Sequence, residues 1–129
     1  MFRKIMVPVD LDEPQIAEKA MAVAKRIARM DGAEVLVISI TQDPHDPARE
    51  TELETRLQAY VDTQKEDLHM DGVLTLGGAV ASEIRNAAED MGVDLVVMAS
   101  HEPRIDDYLF GSRSASVALH TQCSVMVVR

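Results

Sequence analysis

The sequence predicts a single α/β domain built on one open, five-stranded parallel sheet with helices on both faces. Five short apolar runs alternate along the chain with four segments of helical periodicity. Within these runs the residues are nearly all apolar, which is typical of parallel strands buried on both faces. The 129 residues are 47% hydrophobic, enough for one domain over residues 1–129 to bury its own core.

The composition argues against several classes of partner. Thirteen basic and 22 acidic residues give a net charge of −9, and only 3% of the residues are aromatic. Such a chain repels phosphate backbones and offers few rings for stacking on bases, so we expect no nucleic-acid partner. No apolar run approaches the roughly 20 residues of a membrane helix, and the first residues do not resemble a signal peptide. We therefore expect a cytoplasmic protein without a membrane partner. The single cysteine, Cys123, excludes an internal disulfide and is predicted to be a buried, inert thiol.

The first half of the chain is predicted to hold two strands and two helices. They are a strand over residues 5–10, a helix from about residue 12 to a stop at Gly32, a strand over residues 34–40 and a helix over about residues 48–69. Pro8 is expected near the end of its strand, because proline cannot donate to the ladder. The second helix carries one narrow apolar stripe of Leu53, Leu57, Val61 and Leu68. The many charged residues of this helix are most simply explained as a face exposed to solvent.

The second half is predicted to hold three strands and two helices. They are a strand over residues 73–76, a helix from the Gly77-Gly78 turn to Gly92, a strand over residues 95–99, a helix over about residues 112–120 and a last strand, Ser124–Val128. The last strand is apolar, and an unpaired apolar edge is usually covered or paired. A homodimer through Ser124–Val128 is the simplest solution.

The carboxyl ends of the strands are expected to meet at one edge of the sheet, where folds of this class bind ligands. That edge would collect Asp10, the end of the second strand near Ile40, and the loop over residues 99–111. A carboxylate there can accept from an amino group or a ribose hydroxyl, and apolar side chains of Val9, Ile40 and Met98 can hold a flat base. Free backbone N–H groups of residues 111–114, at a helix start, favour phosphate.

Each of these residues also has a purely structural interpretation. Val9, Ile40 and Met98 would be apolar in any buried strand, and Ser112 can simply cap a helix. Asp10 discriminates better, because a carboxylate directly after a buried strand needs a partner. That partner is either a ligand or the start of the next helix, where Asp10 would act as a cap.

Several motifs together resemble the universal stress protein family from end to end. They are VPVD at residues 7–10, the Gly77-Gly78 turn, VDLVVMASH at 93–101, YLFGSRSASV at 108–117 and CSVMVVR at 123–129. The pattern Ala-Ser-His-x-Pro-x-Ile-x-x-Tyr-Leu-x-Gly-Ser from Ala99 to Ser112 is typical of the F and G types of enteric bacteria. The resemblance implies a Rossmann-like fold with strand order 3-2-1-4-5 and a dimer whose last strands pair across a twofold axis.

Family members that bind ATP share a pattern of glycine, two residues, glycine, nine residues, and then glycine with serine or threonine. In this chain Ala99 and Glu102 stand at the first two glycines, and eight residues separate Glu102 from Gly111 and Ser112. Glu102 would bring a negative charge near the phosphates, whereas Arg113 would supply a compensating cation. The resemblance implies ATP, with Mg²⁺ on its phosphates, as the ligand. The implied contact residues are Pro8, Val9, Asp10, Ile40, Met98, Ala99, His101, Glu102, Gly111, Ser112, Arg113 and Ser114.

Other kinds of site fit the sequence less well. No second histidine follows His101 at one helical turn, so we expect no metal ion bound by protein side chains alone. A phosphoacceptor receiver domain is disfavoured, because no aspartate ends the third strand and no lysine ends the fifth. His101 can approach Ser112, but no third residue is identifiable to orient a catalytic pair, so hydrolysis is expected to be slow or absent. Two functions remain: an ATP-binding stress regulator, or a stress protein that binds no nucleotide and acts through its dimer and partner surfaces.

Overall fold

The computed structural model describes residues 1–41, 45–100 and 123–129. Within them lie five strands, β1 (Lys4–Pro8), β2 (Glu34–Thr41), β3 (Met70–Leu76), β4 (Leu95–Ala99) and β5 (Ser124–Val128). They form one sheet in the order β3-β2-β1-β4-β5, and every neighbouring pair is parallel. The predicted fold class and strand order are confirmed.

Among the described residues, three α-helices cover the two faces of this sheet: α1 (Glu18–Asp31), α2 (Pro47–Gln64) and α3 (Val80–Asp90). Side chains alternate along each strand, so each strand contributes to two apolar layers. The larger layer joins the odd-numbered residues of β1 to α1 and α2. The smaller layer joins Met6 of β1 to α3. From β1 the chain adds β2 and β3 on one side, and it then crosses back to add β4 on the other side of β1. Because each crossover is right-handed, α3 lies on the opposite face of the sheet from α1 and α2.

The connection from β1 to α1 begins earlier than the sequence suggested. β1 ends at Pro8, as expected for proline, although the Val9 N–H still donates to the Ile38 carbonyl at 2.9 Å. Asp10 already belongs to a turn, because its carbonyl accepts from the Glu13 N–H at 3.1 Å. A short 3₁₀ turn, Pro14–Ala17, leads into α1. The predicted stop at Gly32 is confirmed, with φ of 69° at that glycine.

The predicted end of α2 at residue 69 is wrong, because the helix stops at Gln64. The Lys65 N–H makes the last helical bond, to the Val61 carbonyl, and Glu66 then takes a left-handed conformation with φ of 48°. Leu68, although it packs against the core, therefore lies outside the helix. β3 starts at Met70, three residues before the predicted position, because the preceding turn returns the chain to the sheet at once.

The remaining boundaries follow the sequence closely. The Asp46 carboxylate caps α2 by accepting from the N–H groups of Ala48 and Arg49, and Pro47 is the first helical residue. β4 and β5 have the predicted bounds. The helix predicted over residues 112–120 lies outside the described residues. In the part of the chain that is described, no helix combines the length and apolar character needed to cross a membrane.

Candidate functional site

The carboxyl ends of β2, β1 and β4 lie side by side at one edge of the sheet. Backbone hydrogen bonds fix where the chain leaves each strand. The Gly77 N–H donates to the Thr41 carbonyl at 2.7 Å, and the Ser100 N–H donates to the Val128 carbonyl at 2.8 Å. Strand order reverses between β1 and β4, and parallel-sheet folds bind ligands in a crevice at such a point.

Asp10 is exposed at this edge, in the turn directly after β1. Its Oδ1 accepts from the Asp12 N–H at 2.9 Å, which closes the turn that precedes the 3₁₀ segment. No other hydrogen bond to its carboxylate is formed by the described residues. One oxygen of Asp10 thus belongs to the local turn, and the other has no hydrogen-bond partner among the described residues. The predicted helix-capping role of Asp10 is wrong, because the 3₁₀ segment starts after Glu13 and no side chain caps it.

The apolar residues proposed to hold a base divide between the two faces of the sheet. Val9 packs with the α1 and α2 layer, whereas Ile40 and Met98 pack with the α3 layer. Val9 is 5% exposed and Met98 is 7% exposed, so both belong mainly to the core. Ile40 and Pro8 are half-buried. Ile40 and Pro8 are therefore more exposed at the edge than Val9 and Met98.

The end of β4 contributes two small residues to the crevice. Ala99 and Ser100 are both half-buried, and both have small side chains. Six further predicted contact residues lie outside the described part of the chain: His101, Glu102, Gly111, Ser112, Arg113 and Ser114. Asp10, Ile40 and Ala99 thus lie at or near the carboxyl ends of neighbouring strands, whereas Val9 packs on the opposite face of the sheet from Ile40 and Met98.

Two arginines of α2 reach the turn that carries Asp10, which the sequence did not predict. Arg56 Nη2 donates to the Leu11 carbonyl at 2.6 Å and to Asp12 Oδ1 at 3.2 Å. Arg49 Nη2 lies 3.7 Å from the same Asp12 oxygen. The two arginines are seven residues apart and so share a helix face. That spacing was visible in the sequence, but it did not distinguish this face from solvated surface.

Hydroxyl groups within the apolar strands were also missed as candidates. Ser39 and Thr41, near the end of β2, are buried. Thr75 of β3 pairs with Ile40, and its Oγ1 is buried without a hydrogen-bond partner among the described residues. Hydroxyl residues within otherwise apolar runs were the available signal. Among the described residues, no three His, Cys, Asp or Glu side chains are grouped to hold a metal ion.

Known proteins resemble this chain along its whole length. The family model described as the universal stress protein family matches residues 1–129. Universal stress protein G of Shigella flexneri is 32% identical over 142 aligned residues, and that of Salmonella typhimurium is 31% identical, with all of both chains covered in each case.

Solved structures share the fold at lower identity. A universal stress protein from Archaeoglobus fulgidus in complex with dAMP is 22% identical, with a TM-score of 0.77 over 99% of this chain and 98% of that one. A universal stress protein in complex with cAMP is 20% identical, with a TM-score of 0.78 over 99% of this chain and 97% of the other. With five parallel strands in the same order that the motifs implied, and a family match from the first residue to the last, the chain belongs to the universal stress protein family.

Proposed function

We propose that this protein binds an adenine nucleotide in the crevice at the carboxyl edge of the sheet and acts as a homodimeric regulator in a stress response. The observation that carries the proposal is the position of Asp10. It is exposed beside the point where strand order reverses, with one carboxylate oxygen held by the Asp12 N–H at 2.9 Å. A carboxylate fixed in this way is prepared to accept from a ribose hydroxyl.

Two relatives of the same fold support an adenine ligand. Their structures are complexes with dAMP and with cAMP, and both of those ligands contain adenine and a sugar phosphate. For this chain we propose ATP, with Mg²⁺ on its phosphates. The described residues fit the nucleoside part: Asp10 for the ribose, and the half-buried Ile40 and Ala99 for the edge of the base. The phosphate contacts are proposed for residues 111–114.

Catalysis is not part of the proposal. A hydrolase needs a nucleophile or a bound water with a base held against it. Asp10 is the one proposed contact residue with a carboxylate in the described part of the chain, and the local turn engages one of its oxygens. We therefore propose slow or no ATP hydrolysis and a regulatory role for the bound nucleotide.

The second candidate function is a stress protein that binds no nucleotide. The burial of Val9 and Met98 favours it, because exposures of 5% and 7% leave little of either side chain for a flat base. In that case function would lie in the paired edge strands of a dimer and in a partner surface. The two candidates differ in whether the crevice is occupied.

Direct measurement of binding separates these candidates. Protein purified without added nucleotide is denatured and its released small molecules are identified by mass spectrometry. Stripped protein is then titrated calorimetrically with ATP and Mg²⁺, alongside Asp10→Ala and the control Asp90→Ala. Asp90 is an exposed carboxylate at the end of α3, near the opposite edge of the sheet. We expect Asp10→Ala to weaken binding about tenfold or more, since a hydrogen bond to a charged group contributes about 1.5–3 kcal/mol, and Asp90→Ala to leave it unchanged. No released nucleotide and no saturable binding at millimolar ATP would favour the second candidate.

A further inference from the structure

Arg56 of α2 makes a close contact with the turn after β1. Its Nη2 lies 2.6 Å from the Leu11 carbonyl oxygen and 3.2 Å from Asp12 Oδ1. A carbonyl and a carboxylate are both acceptors, and one guanidinium serves them together because its donors are fixed in a plane. The contact joins residues 45 and 44 positions apart in the sequence.

Two residues, Leu11 and Asp12, link Arg56 to Asp10. Asp12, whose carboxylate Arg56 binds, donates its own N–H to Asp10 Oδ1 at 2.9 Å. Leu11, whose carbonyl Arg56 binds, is the residue between them and is 8% exposed, so its side chain is fixed in the core. Arg56 thus holds the backbone on which the Asp10 carboxylate is oriented.

Arg56 is itself held in place on α2. Leu53 and Leu57, its neighbours on the helix, are buried against the sheet. Glu52 Oε1 lies 3.9 Å from Arg56 Nη1, and the same oxygen lies 3.1 Å from Arg49 Nη1. The guanidinium therefore projects from a helix that is packed on the sheet. Its contact constrains the shorter element, the turn after β1.

From these contacts we infer that Arg56 is a positioning residue for nucleotide binding, which fixes the turn at Leu11 and Asp12 so that Asp10 presents its second oxygen to the ribose. This inference rests on the proposed function. It assigns the α2 surface a role in the crevice, although α2 supplies none of the proposed ligand contacts. A ligand that orders the same turn would in return tighten the contact of α2 with it.

The test compares Arg56→Gln, Arg56→Lys and the control Arg29→Gln. Arg29 lies on α1, is 39% exposed against 35% for Arg56, and pairs with Glu66 and Asp67 away from the crevice, so its substitution removes a similar surface ion pair. Two quantities are measured: the exchange rates of the Asp12 and Glu13 amide hydrogens without ligand, and the affinity for ATP with Mg²⁺ by NMR titration. Circular dichroism confirms that each variant is folded.

We expect Arg56→Gln to speed exchange at both amides and to weaken ATP binding about tenfold, the loss of one hydrogen bond to a charged group. Arg56→Lys should recover part of the affinity, because an ammonium can still reach the Leu11 carbonyl. Arg29→Gln should change neither quantity. In an Asp10→Ala background, Arg56→Gln should cost no further affinity, because its effect passes through Asp10.

The outcomes separate failure of this inference from failure of the proposed function. If the wild-type protein binds no ATP, the proposed function fails, and the amide exchange rates still report whether Arg56 holds the turn. If ATP binds and the loss caused by Arg56→Gln is the same with Asp10 present or replaced, Arg56 does not act through Asp10 and the inference is overturned. Unchanged exchange at Asp12 and Glu13 in Arg56→Gln overturns it as well.

Discussion

Lys4 and Asp94 are hydrogen-bonded to each other in both directions, although 90 residues separate them in the sequence. The Lys4 N–H donates to Asp94 Oδ1 at 3.1 Å, and the Asp94 N–H donates to the Lys4 carbonyl at 3.0 Å. Asp94 Oδ2 also accepts from the Arg3 N–H at 2.9 Å. The Asp94 carboxylate thus joins the amino ends of β1 and β4. The proposed crevice lies between the carboxyl ends of the same two strands.

Replacing Asp94 is expected to destabilise the whole domain. Asp94→Ala removes both charged acceptors from the amides of Arg3 and Lys4, and we expect a loss of about 1.5–3 kcal/mol. Asp94→Asn retains one acceptor and should lose about half as much. Urea unfolding measures the loss of stability in both variants, provided that each has the same m-value as the wild type. Asp90→Ala is the control, since Asp90 is exposed and its side chain makes no hydrogen bond among the described residues, and it should be nearly neutral. An Asp94→Ala protein as stable as the wild type would contradict the prediction.

Glu66 is expected to make stability depend on pH in the acid range. The Lys25 ammonium, which donates to Glu66 Oε1 at 2.6 Å, holds the pKa of Glu66 below its usual range, and the Arg29 guanidinium adds to this. The folded state therefore favours the ionised form. This contribution is fully present above the unfolded-state pKa of about 4.3 and is lost as the pH falls through the lower folded-state pKa.

Glu66→Gln tests that dependence. The variant should be less stable than the wild type at neutral pH, and the difference should shrink as the pH falls below about 4.3. Urea midpoints at a series of pH values measure it. Glu54→Gln is the control, because Glu54 is exposed on α2 and makes no ion pair among the described residues. A difference for Glu66→Gln that stays constant with pH would show that the ion pair with Lys25 does not form in solution.

The strands were predictable because their burial on both faces leaves an unambiguous apolar run. β4 and β5 were obtained to the residue, and Asp10 was placed at the carboxyl edge from its position after an apolar run. The end of α2 was not predictable in the same way. Leu68 continues the apolar spacing of the helix, whereas Glu66, which ends it, is not a residue type that favours a positive φ. Tertiary contacts of that turn override the local preference.

Within the candidate site, sequence identified which residues lie at the edge and missed how they are held. Whether Val9 and Met98 face the same side depends on the register between β1 and β4, which no local pattern encodes. The contact of Arg56 with the Leu11 carbonyl is equally long-range, and an arginine on a charged helix face has the same pattern whether it meets solvent or another loop.

Thr75 is expected to tolerate loss of its hydroxyl. Its Oγ1 is buried without a hydrogen-bond partner among the described residues, and an unsatisfied buried hydroxyl costs about 1–3 kcal/mol. Thr75→Val keeps the shape and the β-branch, so we expect it to stabilise the protein by about 1 kcal/mol in thermal or urea unfolding. Thr63→Val is the control, because the exposed Thr63 hydroxyl donates to the Tyr60 carbonyl at 2.7 Å, and it should gain nothing. A Thr75→Val protein less stable than the wild type would reveal a partner for the hydroxyl in solution.

The edge strand β5 is expected to form the proposed homodimer. One side of β5 pairs with β4 from Ser124 to Val128, and in the described sheet β5 has no neighbour on its other side. Met126 is 37% exposed, so the unpaired edge carries apolar surface that association would cover. Val127→Lys places a charge within that edge and should yield a monomer by light scattering, where the wild type gives twice the chain mass. Leu76→Lys is the matched control, because Leu76 is 43% exposed on β3, the other edge of the same sheet, and this variant should remain dimeric. A Val127→Lys protein with unchanged dimer mass would exclude β5 as the interface, and a monomeric Leu76→Lys protein would move the interface to β3.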